Sequence, residues 1–135
     1  MRIVVIDGQG GGLGAGLVSR LKARLKVPVW AVGTNALATS AMLKAGADRA
    51  ATGENAACYN AGQADLLLGP IGLLSANGLM GEVSPAIAAA VSASPAKKIL
   101  VPVSSCGILV AGATEQKLED ALNSAVELAA EEVMK

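Results

Sequence analysis

The sequence predicts a three-layer α/β domain with a doubly wound, mostly parallel sheet covered by helices on both faces. Three observations carry this expectation. The short apolar runs are continuous rather than alternating, as in strands buried on both sides. Helix-period segments separate them, so successive strands are joined by crossovers. Right-handed crossovers then give a strand order of about 3-2-1-4-5. A last short run, Ile108–Ala111, could add an antiparallel edge strand.

The elements follow in order. Arg2–Ile6 is a buried strand, and Leu13–Leu25 a helix in which Leu17, Leu21 and Leu25 recur every four residues. Val27–Val32 is a second strand. Ala36–Lys44 is a helix stopped by Ala45-Gly46, and Arg49–Thr52 a short third strand. Glu54–Ala61 is a brief helix, and Asp65–Leu68 a strand of strong apolar pattern. Ser84-Pro85 pairs an N-cap with proline at the first helical position, opening Ala86–Ser94. Lys98–Val103 is a strand. Thr114 then caps a helix to about Met134, with Leu118, Leu122, Val126, Ala129 and Val133 inward.

A chain of 135 residues is expected to fold as one domain, residues 1–135. It has 27 alanines and 16 glycines but only Trp30 and Tyr59 as aromatic residues, which implies a thin core. Such a core gains from burying a face against a second copy, so a homo-oligomer is expected, with the apolar Leu73–Met80 segment a candidate contact. Eleven basic and 11 acidic side chains cancel, which argues against a nucleic-acid or anionic-membrane surface. Two cysteines, Cys58 and Cys106, cannot form a disulfide framework or a cysteine-rich zinc site, and the absence of histidine removes imidazole from catalysis and metal ligation. No resident metal is expected. Arg2 before the Ile3–Ile6 run, followed by Asp7, reads as a strand and not a signal peptide. The Leu66–Leu74 stretch is cut by Gly69, Pro70 and Gly72, well short of the roughly 18 apolar residues of a membrane span. A soluble, cytoplasmic protein is the expectation.

The most informative stretch is Asp7-Gly8-Gln9-Gly10-Gly11-Gly12-Leu13-Gly14-Ala15. It joins the first strand to the first helix, the context that a dinucleotide-binding fingerprint requires. Gly10-x-Gly12-x-x-Ala15 fits the common spacing; Gly8-x-x-x-Gly12-x-Gly14 fits that of short-chain dehydrogenases, with Asp7 where those usually carry threonine. Residues without Cβ let a phosphate approach backbone N–H groups, and the helix start adds the positive end of its dipole. The competing reading is that the glycines serve only close helix–sheet packing, in which case Gly12→Ala should damage folding.

Two further diagnostics are missing. About 20 residues on, where an acid would hold a ribose hydroxyl, stands Gly33-Thr34-Asn35. Thr34 and Asn35 can bond a sugar or phosphate without choosing NAD over NADP. Short-chain dehydrogenases also need Tyr-x-x-x-Lys, yet Tyr59 is followed four residues later by Gln63. Asp7 places negative charge near the loop, so it either accepts backbone amides or holds a Mg²⁺ that bridges to phosphate. Other residues expected at the carboxyl edge are Glu54 and Asn55 after Gly53, and the turn Gly69-Pro70-Ile71-Gly72. Asn77 and Glu82 flank Gly78-Leu79-Met80-Gly81, which reads as a plain connection or as a lid or dimer contact.

The runs at 6–12 (Ile-Asp-Gly-Gln-Gly-Gly-Gly), 33–47, 51–56, 69–72 (Gly-Pro-Ile-Gly) and 94–100 resemble those of a family of small bacterial proteins, found mainly in anaerobes. That family is described only as a domain of unknown function, and the resemblance implies a Rossmann-like fold without implying an activity or site residues. Its loop after the fifth strand more often carries Asn or Arg before a cysteine, where this chain has Ser104-Ser105-Cys106-Gly107. The leading functional expectation is a protein that binds a nucleotide or an NAD(P)-like dinucleotide through Gly8–Gly14. The alternatives are a small enzyme acting on a phosphorylated or nucleotide substrate with Glu54, Asp7 or Cys106, and a ligand-free interaction domain.

Overall fold

The computed structural model describes residues 1–103 and 107–135. Five strands, β1 (Ile3–Asp7), β2 (Val29–Gly33), β3 (Arg49–Thr52), β4 (Leu66–Pro70) and β5 (Lys97–Val101), form one sheet of order β3-β2-β1-β4-β5. Every pairing is parallel, with Val5 opposite Ala31 on one side and Leu68 on the other. The helices are α1 (Gly12–Arg24), α2 (Ala36–Lys44), α3 (Glu54–Gln63), α4 (Pro85–Ala93) and α5 (Leu118–Val133); a 3-10 turn, Ile71–Leu74, follows β4.

Alternation along β1 divides the core. Ile3 and Val5 pack with Leu17, Val18 and Leu21 of α1, Met42 of α2 and the Ala121–Ala130 face of α5. Val4 and Ile6 face Ala57 and Ala61 of α3 and Ile87 and Val91 of α4. The alanine-rich helix faces sit directly on the sheet, and β1 is buried at every residue. Strands are added outward from β1 in one direction to β3 and in the other through β4 to β5, so the crevice at the carboxyl ends of β1 and β4 is the topological switch point.

Two expectations need correction. No antiparallel edge strand exists among the described residues. Ile108–Ala111 lies between Gly107 and Gly112, both at positive φ, and Leu109 is 92% exposed. With Pro102 directly after β5, the chain leaves the sheet and lines a cleft of about 440 Å³ against Leu118 and Ala121 instead of pairing. The last helix also starts at Leu118 rather than near Thr114, because residues 114–117 are all exposed and have no apolar face to bury. Lys117 supplies no side-chain cap; Glu119 and Asp120 in the first turn meet the helix dipole instead. Leu118, expected inward, is half exposed, while Leu122, Val126 and Ala129 are buried.

Candidate functional site

The loop from β1 to α1 is shaped by its own strand. Asp7, only 5% exposed, closes β1 with its carboxylate turned under the loop. Its Oδ1 accepts the Gly8 N–H at 2.8 Å, and Oδ2 accepts the Gly14 N–H at 2.7 Å. The Gly11 N–H closes a turn onto the Gly8 carbonyl at 2.9 Å, and the Ala15 N–H bonds the Gly11 carbonyl. Burial pushes the Asp7 carboxyl above the ordinary carboxylate range; the Gly14 and Gly8 amides oppose the rise, and the Glu82 charge adds to it. Both Asp7 oxygens are thus engaged below the loop.

The five glycines divide into two kinds. A Cβ on Gly14 would lie 2.7 Å from Asp7 Cβ and Met42 Sδ; one on Gly11, at φ 75°, would lie 2.7 Å from the Ala38 Cα. A Cβ on Gly8 would crowd the Thr34 hydroxyl. These three glycines are explained by packing. Gly10 and Gly12 are not: both are exposed, neither has positive φ, and a Cβ on either meets nothing within 4 Å. The amides of Gly10, Gly12 and Leu13 also lack a partner among the described residues, the last two as first-turn donors of α1. No acidic residue sits in that first turn. Bare backbone and free donors coincide on the open side of the loop.

Across the crevice, Asn35 caps α2, its Oδ1 accepting the Ala38 N–H at 2.9 Å and its Nδ2 donating to the Gln9 carbonyl at 3.0 Å. Thr34 and Asn35 also meet a residue that the sequence placed in a plain connection. Glu82 Oε1 accepts the Thr34 hydroxyl at 2.6 Å, Asn35 Nδ2 at 2.8 Å and the Gln9 N–H at 2.9 Å. These bonds, the Thr34 hydroxyl foremost, hold Glu82 below its ordinary range. Its delivery depends on backbone turns at Asn77, Leu79, Met80 and Gly81, all at positive φ. The only sequence signal was an acid directly after that glycine-flanked loop.

The other expected residues are less involved. Glu54 and Asn55 are exposed at the start of α3, after Gly53 at φ 108°, with no hydrogen bond from their side chains to the glycine loop. Gly69, Pro70 and Gly72 are buried, and a Cβ on Gly69 would collide with the Ile6 carbonyl of β1; Ile71 is partly open. Cys106 lies outside the described residues, and Cys58 is half-buried with Sγ 3.6 Å from the Ala86 carbonyl. Among the described residues no three His, Cys, Asp or Glu side chains gather to hold a metal ion, and no helix is long and apolar enough to cross a membrane.

A five-stranded parallel sheet of order 3-2-1-4-5, with a glycine loop at its switch point, defines a Rossmann-like α/β protein. The chain belongs to a family described as a domain of unknown function (DUF3842), whose model matches residues 2–134. A comparison with curated proteins finds no match. Among solved structures, the chain is similar to a dodecameric FMN-dependent UbiX-like decarboxylase from Escherichia coli O157:H7, at 16% identity and TM-score 0.51, over 100% of this chain and 96% of the other. At that identity the likeness speaks for the fold alone.

Proposed function

We propose that the protein binds a nucleotide-type ligand, with a phosphate on the open amides of Gly10, Gly12 and Leu13 and the remainder lying along the carboxyl edge toward β2. The observation that carries this reading is the coincidence of unpartnered donors with two glycines that neither packing nor backbone conformation requires. A phosphate is the ligand such a loop suits, because its oxygens accept several amides at once and meet the positive end of α1. The FMN dependence of a protein sharing the fold supports including a flavin mononucleotide among the candidates.

Thermal melting with NAD, NADP, AMP and FMN tests the reading. A bound ligand at about a hundred times its dissociation constant raises stability by about 2.7 kcal/mol. A flat melting temperature with all four at millimolar concentration would return the loop to packing alone.

The assembly proposed with this function is a homo-oligomer. Met80, 95% exposed, and Leu37, 68% exposed, are the kind of apolar surface that a second copy would cover, and the fold's FMN-dependent relative in shape is dodecameric. Light scattering at micromolar concentration should give a multiple of 13.3 kDa; a monomer mass would contradict it.

A further inference from the structure

Dinucleotide folds place a carboxylate at the end of the second strand, where it accepts hydrogen bonds from ribose hydroxyls. The end of β2 carries none in sequence, since Gly33-Thr34-Asn35 stands there. In space it has one. Glu82, 47 residues beyond Asn35, is tied to Thr34 and Asn35 at that strand end and to Gln9 of the glycine loop. All three donors converge on Oε1. Among the described residues no hydrogen bond engages Oε2, and the side chain is only half-buried.

The crevice therefore has two ends of opposite character. Gly10, Gly12 and Leu13 offer unpartnered N–H donors, which suit an anion. Glu82, one residue away along the loop from Gly10 through its bond to Gln9, offers only acceptor oxygens, which suit hydroxyl donors and repel anions. A molecule that satisfies both ends carries phosphate at one and free hydroxyls at the other.

We propose that Glu82 is the specificity-determining residue of this site, accepting the free vicinal hydroxyls of a ribose through Oε2 and rejecting a ribose that bears a 2′-phosphate. This rests on the nucleotide reading above. Glu82 would do so from the connection between β4 and α4, so the acid is supplied by a different element from the one that usually carries it. The three bonds on Oε1 pin the carboxylate, which keeps the second oxygen in a fixed direction without reorganisation.

Calorimetric titration of the wild type and Glu82→Gln with AMP against 2′-deoxy-AMP, and with NAD against NADP, tests this. Glutamine keeps an oxygen for the three donors, and melting of both proteins checks that the fold is retained. The wild type is expected to favour AMP and NAD over their counterparts by about tenfold or more, the worth of a hydrogen bond to a charged group. Glu82→Gln should reduce that preference and bind NADP more tightly than the wild type does. Equal affinity for the paired ligands in the wild type, or an unchanged preference in Glu82→Gln, overturns the role of Glu82 and leaves nucleotide binding intact. Binding of none of the four by either protein overturns the role of Glu82, and overturns nucleotide binding as well when FMN also fails to bind.

Discussion

Alanine at Gly14 should destabilise the protein by about 2–4 kcal/mol or prevent folding, whereas alanine at Gly12 should leave stability unchanged or raise it by about 0.5 kcal/mol. The contrast follows from the neighbours. At Gly14 the new methyl meets Asp7 Cβ and Met42 Sδ at 2.7 Å, where α1 and α2 press on the end of β1. Nothing there is the free end of an exposed side chain, so the helix must move off the sheet. At Gly12 the methyl enters open space at the first position of α1, where alanine is the better helix former. Gly10→Ala belongs with Gly12→Ala, and Gly11→Ala with Gly14→Ala, where positive φ adds strain. The functional consequence runs the other way: the double variant Gly10→Ala, Gly12→Ala should melt like the wild type and lose at least tenfold in nucleotide affinity, because two methyls block the approach to the amides. If Gly12→Ala instead unfolds the protein, packing alone explains the loop.

The second large effect is at Asp7. Asp7→Ala leaves the buried amides of Gly8 and Gly14 without acceptors, at about 1–3 kcal/mol for each group that finds no replacement, or about 2–6 kcal/mol if neither does. The cost should depend on pH in a stated direction. The folded state raises the Asp7 pKa above its ordinary value of 3.8. A carboxyl raised in the folded state contributes stability that is fully present below the unfolded value and is lost as pH rises through the folded one. Denaturant titrations of wild type and Asp7→Ala should therefore differ most at the acid end of that window and converge as pH climbs through it. A difference that grows with rising pH would mean that the ionised carboxylate, not the neutral one, is the form the loop prefers.

Much of the architecture was legible because its signals are local. Continuous apolar runs marked four of the five strands, Ser84 marked a helix start, and Gly46 marked a helix end; Ala36–Lys44 and Arg49–Thr52 fall where expected. The errors fall where tertiary context decides. Ile108–Ala111 has the apolarity of a strand, but it lies between two glycines at positive φ and pairs with no strand among the described residues. Thr114 has the chemistry of a cap, yet the four residues after it offer nothing to the core. The site was legible in part. The glycine loop announced itself by spacing and context, but spacing alone does not separate Gly11 and Gly14, which Ala38 and Met42 require, from Gly10 and Gly12, which no neighbour among the described residues requires. Glu82 was beyond reach, because its partners Gln9, Thr34 and Asn35 lie 47 to 73 residues away and meet it only after the sheet forms.

The three backbone amides proposed to hold the phosphate can be observed directly. In a ¹⁵N–¹H correlation spectrum, titration with AMP should shift the Gly10, Gly12 and Leu13 resonances first and most, with the Gly8 and Gly14 amides, held by Asp7, moving little. Resonances at those three positions that stay fixed to millimolar AMP, NAD, NADP and FMN, while shifts appear elsewhere or nowhere, would rule out a ligand on this loop.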